Sequence, residues 1–287
     1  MISLPTQVLE ITGADAAAFA HAQFCNDVLA LSDGHWQWNA WLSPQGRVRA
    51  CFHLLRHDAH NIVLILRGGE AEWLCVELNR YVFRAKVRLR VANDKCLVAG
   101  ADAAEAVAIA GALPEAFAIA GHAGITSFAI AYDPPRWLLL GAVKPSTGDG
   151  AALERWRLND IRAGLPEIGA ELRDRLLPQW IGLDRLGAVN VGKGCYPGQE
   201  IMARLHFKGG IKRSLYRLRW PGKAVFPPTT TLRGPDGAEA GAIVTAARDI
   251  DTGCVEALAS LTVATVHAAL EVESAPDCAI DVVEHYV

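Results

Sequence analysis

The sequence predicts an α+β protein whose last third is a small antiparallel barrel or sandwich, and two observations carry that prediction. Up to about residue 205, strand-length apolar runs alternate with helical text. Beyond it, short alternating stretches (215–220, 229–233, 240–246, 254–266) are separated by turn clusters such as Gly234-Pro235-Asp236-Gly237. The change of style places a domain boundary near 206–213, and 287 residues suit two or three domains.

Residues 8–11 read as a strand, and Asp15 is placed to cap a helix running from Ala16 to about Gln23. Residues 36–42 and 48–55 read as a hairpin. Its turn, Ser43-Pro44-Gln45-Gly46, has the proline and glycine positions of a type I turn. A third strand follows at 62–66, then a helix at 70–80 with Trp73, Leu74, Leu78 and Tyr81 on one side. Residues 86–91 alternate as a half-buried strand. A second strand–helix–strand set spans 96–143 around an alanine-rich segment, 101–112, helical by propensity. Residues 145–150 read as a turn or linker. A helix at 153–163 is stopped by Gly164-Leu165-Pro166.

With 51% hydrophobic residues the chain can bury a sizeable core, while a net charge of −3 argues against a coat for nucleic acid or anionic membrane. The seven cysteines are odd in number, dispersed and without a C-x-x-C pair, which predicts a reducing compartment and no zinc ribbon. The N-terminal text has neither the charged and apolar regions of a signal peptide nor an arginine-rich transit character, and no apolar run reaches membrane-spanning length. The expectation is a soluble, cytoplasmic protein.

One stretch stands out: Lys193-Gly194-Cys195-Tyr196-Pro197-Gly198-Gln199-Glu200, continued by Ile201-Met202-Ala203-Arg204. Pro197 suits the first position of a helix, and the glycines allow tight turns. A thiol beside a helix N-terminus and a lysine has its thiolate favoured. The competing reading is a small residue buried at a tight turn. The surroundings are rich in cations (Arg185, Lys193, Arg204, Lys208, Lys212, Arg213), which suits an anion as well as a solvated face. Glu200 and Arg204 are spaced for a helical ion pair. The histidines show no metal-ligand spacing, and His206 is a weaker candidate for a base than for a surface residue. Of eight tryptophans, most are expected in the core. Trp156 is the choice for a stacking face, one turn from Asn159, Asp160 and Arg162, which could read the edge of a heterocycle.

The run Lys-Gly-Cys-Tyr-x-Gly-Gln-Glu closely resembles the signature of the YgfZ folate-binding family, relatives of the glycine-cleavage T-protein (aminomethyltransferase) and of mitochondrial iron–sulfur assembly factors. The opening (Leu9 to Asp15, Gln23, Asn26-Asp27-Val28), the hairpin Leu42 to Val48, the passage Arg80 to Val87 and Ala163 to Ile168 extend the likeness over most of the chain. The resemblance implies three subdomains around a central cavity: α+β units at 1–95 and 96–205 and an antiparallel β-barrel at 206–287. It implies a tetrahydrofolate-binding accessory protein for assembly, repair or maintenance of iron–sulfur clusters. Its partners would be iron–sulfur assembly proteins and radical tRNA-modifying enzymes, with no membrane and no direct nucleic-acid contact. Cys195 matches the functional cysteine, with Lys193, Gly194, Tyr196, Gly198, Gln199, Glu200 and Arg204 as its motif. Trp156 falls where a family tryptophan is linked to folate binding, with Asp160 and Arg162 beside it.

There are departures. Arg162 stands where T-protein relatives often carry a pterin-binding glutamate, and an arginine cannot accept the pterin's N–H donors, which leaves Asp160 as a substitute. Arg49-Ala50-Cys51-Phe52 stands where T-proteins carry an acidic pair, and Thr6 where a family tryptophan is expected. These changes weigh against the alternative activity, aminomethyl transfer to folate. A third reading is an adaptor without chemistry, for which Cys195 would be dispensable.

Overall fold

The computed structural model describes residues 2–5, 7–100, 107, 115–132, 135–142, 150–210, 212–263, 270–273 and 275–286. Apart from Val107 and Gly150, the alanine-rich segment at 101–112 and the linker at 145–150 lie outside these residues, as does Thr6. The chain forms two compact units that interleave in sequence. One holds Met1–Trp41, Ala50–Asp149 and Gly192–Tyr196; the other holds Leu42–Arg49, Gly150–Val191 and Pro197–Val287.

The first unit contains two antiparallel sheets. One has the order β3-β4-β5-β2-β6, built from β2 (Val8–Thr12), β3 (His35–Leu42), β4 (Val48–Asp58), β5 (Asn61–Leu66) and β6 (Arg88–Val91). Helices α1 (Ala16–Gln23) and α2 (Ala71–Asn79) cover one face of it. Alternation in β4 sends Phe52 and Leu54 to these helices, where they pack with Leu9, Ile11, Phe24 and Leu64. Each such side chain taken fully out of water contributes about 1.5–3 kcal/mol. The second sheet has the order β1-β7-β10-β9-β8. It comprises β1 (Ile2–Leu4), β7 (Cys96–Gly100), β8 (Ala120–His122), β9 (Ile125–Tyr132) and β10 (Pro135–Gly141).

In the second unit, α3 (Gly150–Arg162) ends at Gly164, whose φ of 65° is the left-handed conformation that closes helices. After a 3-10 turn at Pro178–Ile181 comes α4 (Gln199–Lys208). A closed six-stranded barrel of order β11-β14-β13-β12-β15-β16 follows. Its strands are β11 (Arg213–Pro221), β12 (Thr231–Arg233), β13 (Glu239–Arg248), β14 (Cys254–Thr262), β15 (Leu270–Val272) and β16 (Ala275–Tyr286). Tyr216, Leu218 and Trp220 alternate into its core while Arg219 faces water. The choice between barrel and sandwich is thus settled as a barrel, within an α+β architecture.

Three local expectations change. Asp15 sits before α1 but makes no side-chain cap; its carboxylate accepts the Lys86 N–H at 2.7 Å instead. Strand β6 begins at Arg88, because Lys86 is spent on that junction. The span 96–143, expected as one strand–helix–strand set, carries four strands, β7 to β10, and strands β1, β15 and β16 were not anticipated.

His53 on β4 is fully buried against Trp36, Trp38 and Phe128, with ring centroids 5.3, 4.2 and 5.5 Å away. Neither ring nitrogen has a hydrogen-bond partner among the described residues. Burial, with the nearby charges of Arg67 and Arg136, holds its pKa well below 6.5. The sign follows from linkage: the unfolded chain takes up a proton below about pH 6.5 that the folded state refuses, so this stability is full above 6.5 and lost as pH falls. His53→Leu is expected to raise stability at pH 7 by about 1 kcal/mol, since two unmet polar atoms disappear. It should also reduce the acid slope by about 1.4 kcal/mol per pH unit below 6.5. Urea unfolding at pH 5 to 8 checks both.

Candidate functional site

The cysteine motif changes unit in its middle: Gly192–Tyr196 belongs to the first unit and Pro197 onward to the second. Each half has its own anchor. In the first half, Lys193 is 6% exposed and its ammonium donates to three backbone carbonyls at the end of α1. They belong to His21, Phe24 (2.5 Å) and Asn26 (3.2 Å). A helix leaves its last carbonyls without intrahelical donors and carries partial negative charge there. The lysine meets that need from a position 172 residues away in sequence. Burial pulls its pKa down to about 8, opposed by the nearby Asp27 carboxylate. The ammonium that the sequence suggested as an activator of Cys195 is therefore committed to α1.

Tyr196, on the other side of the cysteine, is buried with its ring 5.1 Å from the Lys193 ammonium. Burial raises its pKa, and its hydroxyl has no partner among the described residues. Between these two buried residues, Gly194 and Cys195 are exposed. Cys25 and Cys51 are fully buried and Cys75, Cys254 and Cys278 half-buried; Cys96 is the other exposed thiol among the described residues. Burial pushes Cys25 up to about 12, which removes it from thiolate chemistry. A reactive thiol needs access, and Cys195 has it.

The second half is anchored by Gly198. Helix α4 begins at Gln199 with Gly198 as its N-cap, so Pro197 lies outside the helix rather than at its first position. The chain reverses at Gly198 with φ 83°. A Cβ there would stand 2.6 Å from the Ser43 carbonyl oxygen and 2.8 Å from the Gly46 Cα. That closeness seats the tip of the β3–β4 hairpin against the start of α4. At Gly194, by contrast, an added Cβ meets His21 Nε2 at 3.9 Å and little else.

Glu200 and Arg204 form no ion pair. Arg204 turns instead into a cavity beside α4, and an exposed pair of this kind gains only about 0.2–1 kcal/mol to oppose that. His206 is exposed, edge-on to Phe207.

The sequence did not single out His21. Its Nδ1 lies 3.2 Å from Asp27 Oδ1, and its Nε2 faces Gly194. Burial and the Lys193 charge lower its pKa, against the pull of Asp27. Nothing local in Ala20-His21-Ala22 signals this, because the partner loop lies far along the chain.

On α3, Trp156 and Asp160 share one face by their i, i+4 spacing, and both are buried, at 7% and 3% exposure. Arg162 is turned away from them into the barrel. Its guanidinium contacts Glu256 Oε1 and, at 2.9 Å, Asp249 Oδ2, two buried acids. That explains an arginine at this position: it neutralises carboxylates of β14 and of the turn before it. Tyr286 closes the same corner, its hydroxyl donating to the carbonyls of Ile161 and Arg162 at 3.0 and 2.8 Å. Among the described residues no cluster of three or more His, Cys, Asp or Glu could hold a metal ion.

Comparison with known proteins follows the same lines. The chain matches no protein-family model. It is 30% identical over 238 residues to the tRNA-modifying protein YgfZ of Pectobacterium atrosepticum, covering 78% of this chain and 71% of that protein. It is 28% identical over 265 residues to the protein of the same name from Edwardsiella ictaluri, covering 85% and 79%. Among solved structures, the glycine cleavage system aminomethyltransferase T from Bartonella henselae superposes with a TM-score of 0.70 over 97% of this chain and 83% of that one, at 17% identity. That likeness defines the fold; the sequence relatives define the lineage. The chain belongs to the YgfZ family of tRNA-modifying proteins.

Proposed function

We propose that this protein is a cytoplasmic, tetrahydrofolate-binding accessory factor for iron–sulfur cluster assembly or repair, with Cys195 as its working thiol and tRNA modification by cluster-dependent enzymes as the process it serves. The observation that carries the reading is the contrast within the motif. Lys193, Tyr196 and Gly198 are committed to holding the backbone, while the thiol between them is left exposed. A single thiolate cannot complete a four-thiolate cluster site, so a cluster or iron intermediate would be shared with a client protein.

The fit to folate rests on the chemistry of α3. A pterin edge offers N–H donors, and a carboxylate at Asp160 is an acceptor of the right kind, beside the flat indole of Trp156. When bound, tetrahydrofolate would supply a one-carbon or redox-active pterin. Trp156 and Asp160 would hold and orient it, and Arg162 would act only by keeping Glu256 and Asp249 neutralised.

Complementation of a strain lacking the protein tests this, with wild type, Cys195→Ala and Trp156→Ala. Wild type and Trp156→Ala should differ in tetrahydrofolate affinity by calorimetry. Absence of measurable affinity in wild type removes the folate assignment. The shared fold with an aminomethyltransferase favours a second reading, transfer of a one-carbon unit from an aminomethyl carrier. Arg49, Ala50 and Cys51 in place of an acidic pair oppose it, and release of formaldehyde from such a carrier would revive it.

A further inference from the structure

A cavity of about 1000 Å³ opens beside α4, and its described lining residues all belong to the second unit. Neither Cys195 nor Trp156 nor Asp160 lines it. Its walls are apolar: Leu177, Val191, Ile201, Met202 and Leu205, with Trp180. Its charge is one-sided. Arg47, Arg204 and Lys212 line it, and among its lining residues Asp184 is the only acid.

Among the described residues none of the three cations forms an ion pair with a carboxylate. Arg47 lies over the Trp180 ring, 4.8 Å from its centroid, and donates to the Arg175 carbonyl at 2.9 Å. Arg213 lies 5.4 Å from the same ring and is already neutralised by Glu239 at 2.8 Å. Arg47, ordered by the Trp180 indole and the Arg175 carbonyl, is thus a preorganised donor at the cavity rather than a mobile surface charge. Arg204 stays in the cavity although Glu200 stands one turn away on the same helix. Like charges gathered at an apolar hollow repel one another until an anion arrives.

From this convergence we propose that the cavity beside α4 binds an organic anion: a flat apolar body seated on Ile201, Leu205 and Trp180, and a phosphate or carboxylate head received by Arg204, Lys212 and Arg47. A volume at the upper end of ordinary ligand pockets suits a molecule of about nucleotide size rather than a lone inorganic ion. Both head groups share the chemistry of an oxyanion meeting charged N–H donors.

Calorimetric titration of the full chain with 1-naphthyl phosphate, 1-naphthoate and the uncharged 1-naphthol tests this, with Arg204→Gln/Lys212→Gln as the variant. The expected result is one-to-one binding of at least one of the two anions, at least about tenfold tighter than 1-naphthol. The double variant should weaken that anion about tenfold or more while its melting temperature stays that of wild type. Whichever anion binds tighter identifies the head group. Equal affinity for 1-naphthol, an unaffected double variant, or no saturable binding of either anion would overturn the proposal, the last returning these cations to a macromolecular surface such as RNA.

Discussion

Lys193→Met is expected to destabilise the protein by about 3 kcal/mol and to abolish complementation of a strain lacking the protein. The methionine keeps the aliphatic length but cannot donate. The carbonyls of His21, Phe24 and Asn26, gathered where α1 ends, then lose the group that satisfies them. Each buried acceptor left without a donor costs on the order of 1–3 kcal/mol, softened where water enters. Lys193→Arg should rescue poorly, because a planar guanidinium cannot aim at three converging carbonyls as an ammonium does. Differential scanning calorimetry and complementation read the two effects. A Lys193→Met protein that melts with wild type would show that the ammonium does not hold this loop.

Gly198→Ala is expected to cost a similar amount, about 3 kcal/mol, for a different reason. The residue is held at φ 83° by the start of α4, and its new Cβ would collide with backbone: the Ser43 oxygen at 2.6 Å and the Gly46 Cα at 2.8 Å. Backbone cannot swing aside as a side chain can, so the hairpin tip or the helix start must move. Gly194→Ala is the control, with open space at that position and an expected change within about 0.5 kcal/mol. Equal destabilisation by the two substitutions would contradict the division between an anchoring glycine and an exposed one.

Much of the fold was legible because it rests on local periodicity. The hairpin of β3 and β4, the helix ending at Gly164 and the alternation of Leu215 to Trp220 all express a period of 2 or 3.6 in consecutive residues. What escaped is long-range. The terminal strand β16 was not anticipated; it pairs with β11 at the opposite end of the barrel's chain. Strand β1 is three residues long and exists because β7 offers it an edge. His53 reads as an ordinary polar position, and only the meeting of two sheets buries it. The same holds at the site. The motif pointed to Cys195, but Lys193 looked like an electrostatic activator because its partners lie at the other end of the unit in sequence. Arg162 looked like a lost ligand contact because Glu256 and Asp249 are supplied by the barrel.

The measurement that bears most directly on the exposed, anchored thiol is the level of cluster-dependent modified nucleosides in tRNA, by mass spectrometry, in a deletion strain carrying Cys195→Ala or Cys195→Ser at wild-type abundance. Cys195 is exposed, so both variants should melt with wild type. The expected result is normal folding with modification at the level of the deletion strain. Full restoration of the modified nucleosides by either variant would contradict a working role for the thiol and leave the adaptor reading in its place.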